Sequence, residues 1–153
     1  MSSVLISELL PHASQRNISD TTPMGANLVE GGATFRVWAP EALEVYVVTD
    51  ELPIARRPGW RPRQSSGLLK RQDGSWAGFM PGLADGSRYR FFVVGRGSSG
   101  FKRDPWAREL GTDPAYPDCD CLIRDPDSYP WHDSEYRPRP FHELVIYQLH
   151  VGV

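Results

Sequence analysis

Apolar and polar residues alternate in several short runs along this chain. In residues 34–39, Phe35, Val37 and Ala39 fall on one side while Thr34, Arg36 and Trp38 fall on the other. Successive strand side chains point to opposite faces, so this run predicts a strand with one face buried. Residues 43–49 repeat the pattern with Leu43, Val45 and Val47. Residues 75–80 predict a third strand after the Asp73-Gly74 turn signal. Residues 88–94 alternate most clearly, with Tyr89, Phe91 and Val93 opposite Arg88, Arg90 and Phe92. Residues 121–124 suit a last short strand, and Gly95 to Gly100 reads as a flexible turn.

Fourteen glycines and fourteen prolines are scattered between these runs. Such punctuation interrupts any long helical stripe and excludes a helical bundle. Strands this short bury a face only by packing sheet against sheet. The expected fold is all-β: an immunoglobulin-like sandwich over residues 24–125. Residues 1–23 read as an N-terminal extension, with a short helix over 4–10 stopped at Pro11 and polar coil over 14–23. Residues 50–67 read as a long polar loop containing Trp60.

Beyond the sandwich the pattern changes. Residues 126–143 are rich in proline and carry Tyr129 and Trp131, the mark of an extended linker with aromatic anchors. Residues 144–149 are almost entirely apolar without alternation, as in a parallel strand covered on both faces. Such a strand needs a crossover and a parallel neighbour. Residues 144–153 are therefore expected to be the start of a second, truncated domain.

Charge and cysteine content narrow the function classes. The net charge of −2 over 153 residues gives no basic excess for nucleic acid or an anionic membrane. Arg56, Arg57, Arg61 and Arg63 form a local basic loop, read as a solvated surface. Cys119 and Cys121 stand two apart, a spacing too wide for an easy disulfide along a strand. No further ligands stand near them, so no metal or other cofactor is expected and reduced thiols point to the cytoplasm.

The run Glu143 to Gly152, read Glu-Leu-Val-Ile-Tyr-Gln-Leu-His-Val-Gly, resembles the segment that opens the catalytic barrel in the α-amylase superfamily (glycoside hydrolase family 13). The likeness is to glycogen branching enzymes and malto-oligosyltrehalose trehalohydrolases. Upstream pieces follow in the family's order: Met24-Gly25-Ala26, Gly31-Gly32, the run at 35–40, Asp73-Gly74-Ser75-Trp76 with Pro81-Gly82, Tyr89-Arg90-Phe91, the run at 102–107 and Pro130-Trp131-His132-Asp133. The run at 102–107 favours the branching type, and Arg137-Pro138-Arg139-Pro140 is also similar to the trehalohydrolase type.

The resemblance implies an early-set sandwich, similar to carbohydrate-binding modules, ahead of a missing (β/α)₈ barrel. It implies an accessory role in a 1,4-α-glucan branching-type enzyme, with α-glucan and the barrel as partners. Alternatives are the same domain of an α-amylase-family hydrolase, a stand-alone glycogen-binding module, or a sandwich that contacts no ligand. Flat rings that stack on pyranose faces, with polar side chains beside them, make Trp60, Trp76, Lys70 and Arg71 the candidate sugar contacts. Trp38, Trp106, Tyr129 and Trp131 are the candidates for docking on the barrel, and the run at 144–149 is expected to promote association. His150 has no base or metal partner in the sequence and is not assigned to catalysis.

Retaining glycosidases need two facing carboxyl groups, and barrel enzymes place them on later strands. Residues 1–153 are therefore expected to show no turnover of linear α-glucan above background in a reducing-end or iodine assay.

Overall fold

The computed structural model describes residues 13–49, 52–55 and 57–150. The helix expected over 4–10, and Arg56, lie outside them. Among the described residues nine strands form: β1 (Gly25–Val29), β2 (Gly32–Trp38), β3 (Glu44–Val48), β4 (Leu69–Lys70), β5 (Ser75–Pro81), β6 (Arg88–Val94), β7 (Ser99–Lys102), β8 (Glu109–Leu110) and β9 (Cys121–Leu122). Every pairing is antiparallel. The first sheet has the order β1-β2-β5-β4, and the second β3-β6-β9-β8 with β7 also on β6. This is the expected two-sheet sandwich.

The alternation seen in the sequence sets the inner faces. Phe35 and Val37 from the first sheet meet Val45, Val47, Tyr89 and Phe91 from the second. Phe35 lies 5.2 Å from Tyr89 and 6.4 Å from Phe91, both edge to face. Tyr89 and Phe91 lie 5.9 Å apart, also edge to face. Burying each ring contributes roughly 1.5–3 kcal/mol, with a further increment from the edge-to-face geometry. Leu43 departs from the expected face. It precedes β3, where no opposing strand covers it, and is 53% exposed.

Residues 13–23 are not a loose extension. Ala13 enters the core between the sheets, Ser14 pairs with β5, and the residues that follow cross the outer face of the first sheet. Gln15 donates to the Ala77 carbonyl, and Arg36 reaches the carbonyls of Asp20 and Thr22. Ser14 bridges to Phe79, and the Arg16 guanidinium stands over the Phe79 ring. Gly78 makes room for this segment: a Cβ there would come within 2.7 Å of the Ala13 methyl group.

The glycine-rich stretch read as a turn closes after Ser98, where Gly95 N–H bonds to the Ser98 carbonyl. It then gives β7 rather than more turn. Within 50–67, a helical turn, α1 (Leu52–Ala55), and a 3-10 turn (Gln64–Ser66) stand where a plain loop was expected. Residues 126–150 are exposed throughout, and 144–149 take no regular structure. A parallel strand draws its backbone partners from neighbours, and the described residues offer it none.

One buried polar contact ties the connection between β7 and β8 to the core. The Tyr89 hydroxyl donates to Asp104 Oδ2 at 2.7 Å, and Trp106 N–H donates to Oδ1 at 2.8 Å. Asp104 N–H bonds to Cys121 Sγ at 3.3 Å. Desolvation raises the pKa of Asp104, against the lowering effect of its two donors. Both cysteines are buried and free, and burial pushes the Cys121 thiol up to about 11. Asp104→Ala strands two buried donors and is expected to cost about 2–3 kcal/mol in urea unfolding. A loss within about 0.5 kcal/mol would show the contact to be incidental.

Candidate functional site

The second sheet carries apolar side chains on both faces. Tyr46 and Val48 from β3 and Phe92 from β6 point away from the main core, and Leu52 and Ala55 of α1 cover them. Cross-strand register puts Tyr46 opposite Phe92, and Phe92 opposite Phe101 of β7. These form one row across three strands. Phe92 and Phe101 meet edge to face at 5.2 Å.

Trp60 reaches this row from the long loop. Gly59 sits at φ 82, left-handed backbone that favours glycine, and Trp60 N–H closes a turn onto the Arg57 carbonyl. The indole stacks on Phe101 at 5.6 Å with 29° between the planes, and meets Phe92 edge-on at 5.6 Å. Arg90 lies 5.6 Å from the centre of the Phe101 ring. Its Nε is buried without a hydrogen-bond partner. The result is a half-buried aromatic platform with a cation against it.

Polar groups border the platform. The Tyr46 hydroxyl donates to Glu44 Oε2 at 2.6 Å, and Gln64 Nε2 donates to the Tyr46 oxygen at 3.3 Å. Burial, with Glu44 beside it, pushes the Tyr46 phenol up to about 12, so it stays a donor at neutral pH. A groove of about 430 Å³ runs here between Arg61, Pro62 and Gln64 on one side and Phe92, Val94 and Ser99 on the other. Flat rings with hydrogen-bonding groups at their rim suit a ligand with apolar faces and hydroxylated edges.

The four expected sugar contacts are divided between the two sheets. Trp60 belongs to the platform. Trp76 is a core residue of β5, 7% exposed, with its Nε1 donating to the Ala39 carbonyl at 2.9 Å. Lys70 covers that ring at 5.6 Å and donates to the Pro40 carbonyl at 2.6 Å. Arg71 pairs with Asp20 of the segment over the first sheet. Trp76 therefore offers no free ring face.

The expected docking residues are exposed: Trp38 65%, Trp106 65%, Tyr129 63% and Trp131 71%. Tyr129 and Trp131 pack edge to face at 4.8 Å. His150 is also exposed. Among the described residues no cluster of His, Cys, Asp or Glu could hold a metal, and no helix is long and apolar enough to cross a membrane.

The sequence placed Arg90 on the face opposite Tyr89 but named neither it nor Phe101 as a site residue. Phe101 sits in a four-residue strand behind glycines, too short to show alternation. The available signal was the pairing length of β6, whose outward Phe92 requires a partner on each side.

Relatives among curated proteins are branching enzymes. The chain is 31% identical over 135 residues to the 1,4-alpha-glucan branching enzyme GlgB of Corynebacterium jeikeium, covering 84% of this chain and 18% of that protein. It is 32% identical over 128 residues to GlgB of Bordetella pertussis, covering 79% and 16%. The chain thus spans less than a fifth of the length of either relative.

Solved structures share the fold. A putative alpha amylase from Salmonella typhimurium superposes with TM-score 0.63 at 20% identity, over 86% of this chain and 20% of that one. A pullulanase from Paenibacillus barengoltzii complexed with maltotetraose gives TM-score 0.53 at 23% identity, over 70% and 15%. Residues 23–107 match carbohydrate-binding module 48, the isoamylase N-terminal domain. They contain β1 to β7 and the whole Trp60–Phe92–Phe101 platform, and the chain belongs to this carbohydrate-binding module 48 family.

Proposed function

We propose that this chain is the α-glucan-contacting accessory domain of a 1,4-α-glucan branching-type enzyme, and that the Trp60–Phe101 platform makes the contact. The observation that carries the reading is the stack of Trp60 on Phe101 with Arg90 beside it. The inter-sheet core is complete without these rings. Their stacked, half-exposed arrangement matches what a pyranose face requires. Arg90 adds a cation against the Phe101 ring.

In the parent protein the sandwich precedes a catalytic barrel, and residues 144–153 begin it. Trp38, Trp106, Tyr129 and Trp131 are then the surface on which the barrel rests. Large exposed rings on a small domain favour such a partner. The barrel carries the reaction, and the sandwich holds or extends the glucan chain.

Binding to glycogen by affinity electrophoresis, and to maltoheptaose by titration, tests this reading. Trp60→Ala and Phe101→Ala are each expected to weaken binding by about tenfold or more, the equivalent of ~1.4 kcal/mol. Far-ultraviolet circular dichroism checks that both variants remain folded. Trp38→Ala is expected to leave binding unchanged. Failure of the wild type to bind at millimolar sugar would instead make the sandwich a scaffold for the barrel.

A further inference from the structure

β3 and β4 are the edge strands of their sheets. Residues 64–70 pass from one to the other and close that side of the sandwich. Leu68 N–H bonds to the Val45 carbonyl at 2.8 Å, and Gly67 bridges to Tyr46. A second cavity, of about 220 Å³, opens along this seam. Its walls include Lys70 and Trp76 on one side and Glu44, Tyr46 and Gln64 on the other.

Glu44, Tyr46 and Gln64 also line the groove beside the platform. The hydrogen-bonded chain Gln64–Tyr46–Glu44 is therefore a shared wall between two depressions. The polar groups along it are complementary in kind. The Glu44 carboxylate accepts, the Gln64 amide can do both, and the Lys70 ammonium retains donors beyond the one given to Pro40. No single-signed charge dominates, which disfavours an anion or a cation as the ligand. Closely spaced donors and acceptors suit the vicinal hydroxyls of a sugar.

We infer that the seam is a second glucan subsite, in which Glu44, Gln64 and Lys70 hold the hydroxyls of residues that extend beyond the aromatic platform. This inference rests on the reading of the platform as a glucan contact. The two subsites together select long chains over short ones. The platform takes a few glucose units, and the seam adds affinity only when the chain continues over the shared wall. Tyr46, whose hydroxyl joins the two, is the positioning residue. It fixes Glu44 and Gln64 relative to each other and is itself almost fully buried.

The test compares maltotriose with maltoheptaose by isothermal titration. Gln64→Ala, Glu44→Gln and Lys70→Met are the variants, the last keeping its stem over the Trp76 ring. Wild type is expected to bind the longer sugar more tightly. Lys70→Met, which lines the seam and not the groove, should lose about fivefold for maltoheptaose with maltotriose affinity unchanged, whereas Gln64→Ala and Glu44→Gln, on the shared wall, should weaken both sugars and maltoheptaose the more. Trp60→Ala should lose both sugars. Melting temperatures close to that of the wild type exclude unfolding as the cause. Equal wild-type affinities for the two sugars, or seam variants that bind both as wild type does, would overturn the subsite and leave the platform standing. Wild type that binds neither sugar would overturn both.

Discussion

The edge-to-face contact of Phe35 with Tyr89 and Phe91 is the interaction on which the rest of this domain depends. It joins β2 of one sheet to β6 of the other. Because Tyr89 and Phe91 must face inward, the pleat sends Arg90 and Phe92 outward. The outer face of β6 is thus apolar and cationic by consequence, and something must cover it. Leu52, Ala55, Trp60 and Phe101 do so only in part. The candidate binding surface is what remains of that coverage.

The same triad fixes the connection from β7 to β8. Tyr89 carries a hydroxyl that would be costly to bury alone, and Asp104 accepts from it. Asp104 in turn holds the N–H of Trp106, so the chain passes from β7 to β8 along a defined path with Trp106 outward. A core contact, a buried carboxylate and an exposed aromatic residue are thus joined by two hydrogen bonds. Stability and placement of the outer surface are therefore set by one set of side chains.

Much of this was legible before any coordinates. Residues 34–39 and 88–94 alternate strictly, and period-2 alternation has no other stable reading at that length. The inner faces followed from it, as did the two-sheet architecture. Residues 13–23 were not legible. Their hold on the first sheet is made through backbone carbonyls and a few long side chains, such as Gln15 and Arg36, and leaves no hydrophobic pattern. Trp76 and Trp60 look alike in sequence, yet one fills the core and the other caps an outer face. That difference is decided by register. Trp76 pairs with Val37 and shares its inward direction, and Trp60 lies in a loop whose path only tertiary packing determines. Phe101 was hidden because its strand borrows its register from β6.

The central claim is that the outer face of β6 and β7 meets α-glucan. Titrating isotope-labelled protein with maltoheptaose, and following backbone amide and indole N–H signals by nuclear magnetic resonance, tests it most directly. The account predicts that the Trp60 indole and the amides of Arg90, Phe92 and Phe101 shift in a saturable way, while the Trp38, Trp106 and Trp131 indoles stay in place. Shifts confined to Trp38, Trp106 or Trp131, or none at all at saturating sugar, would contradict it.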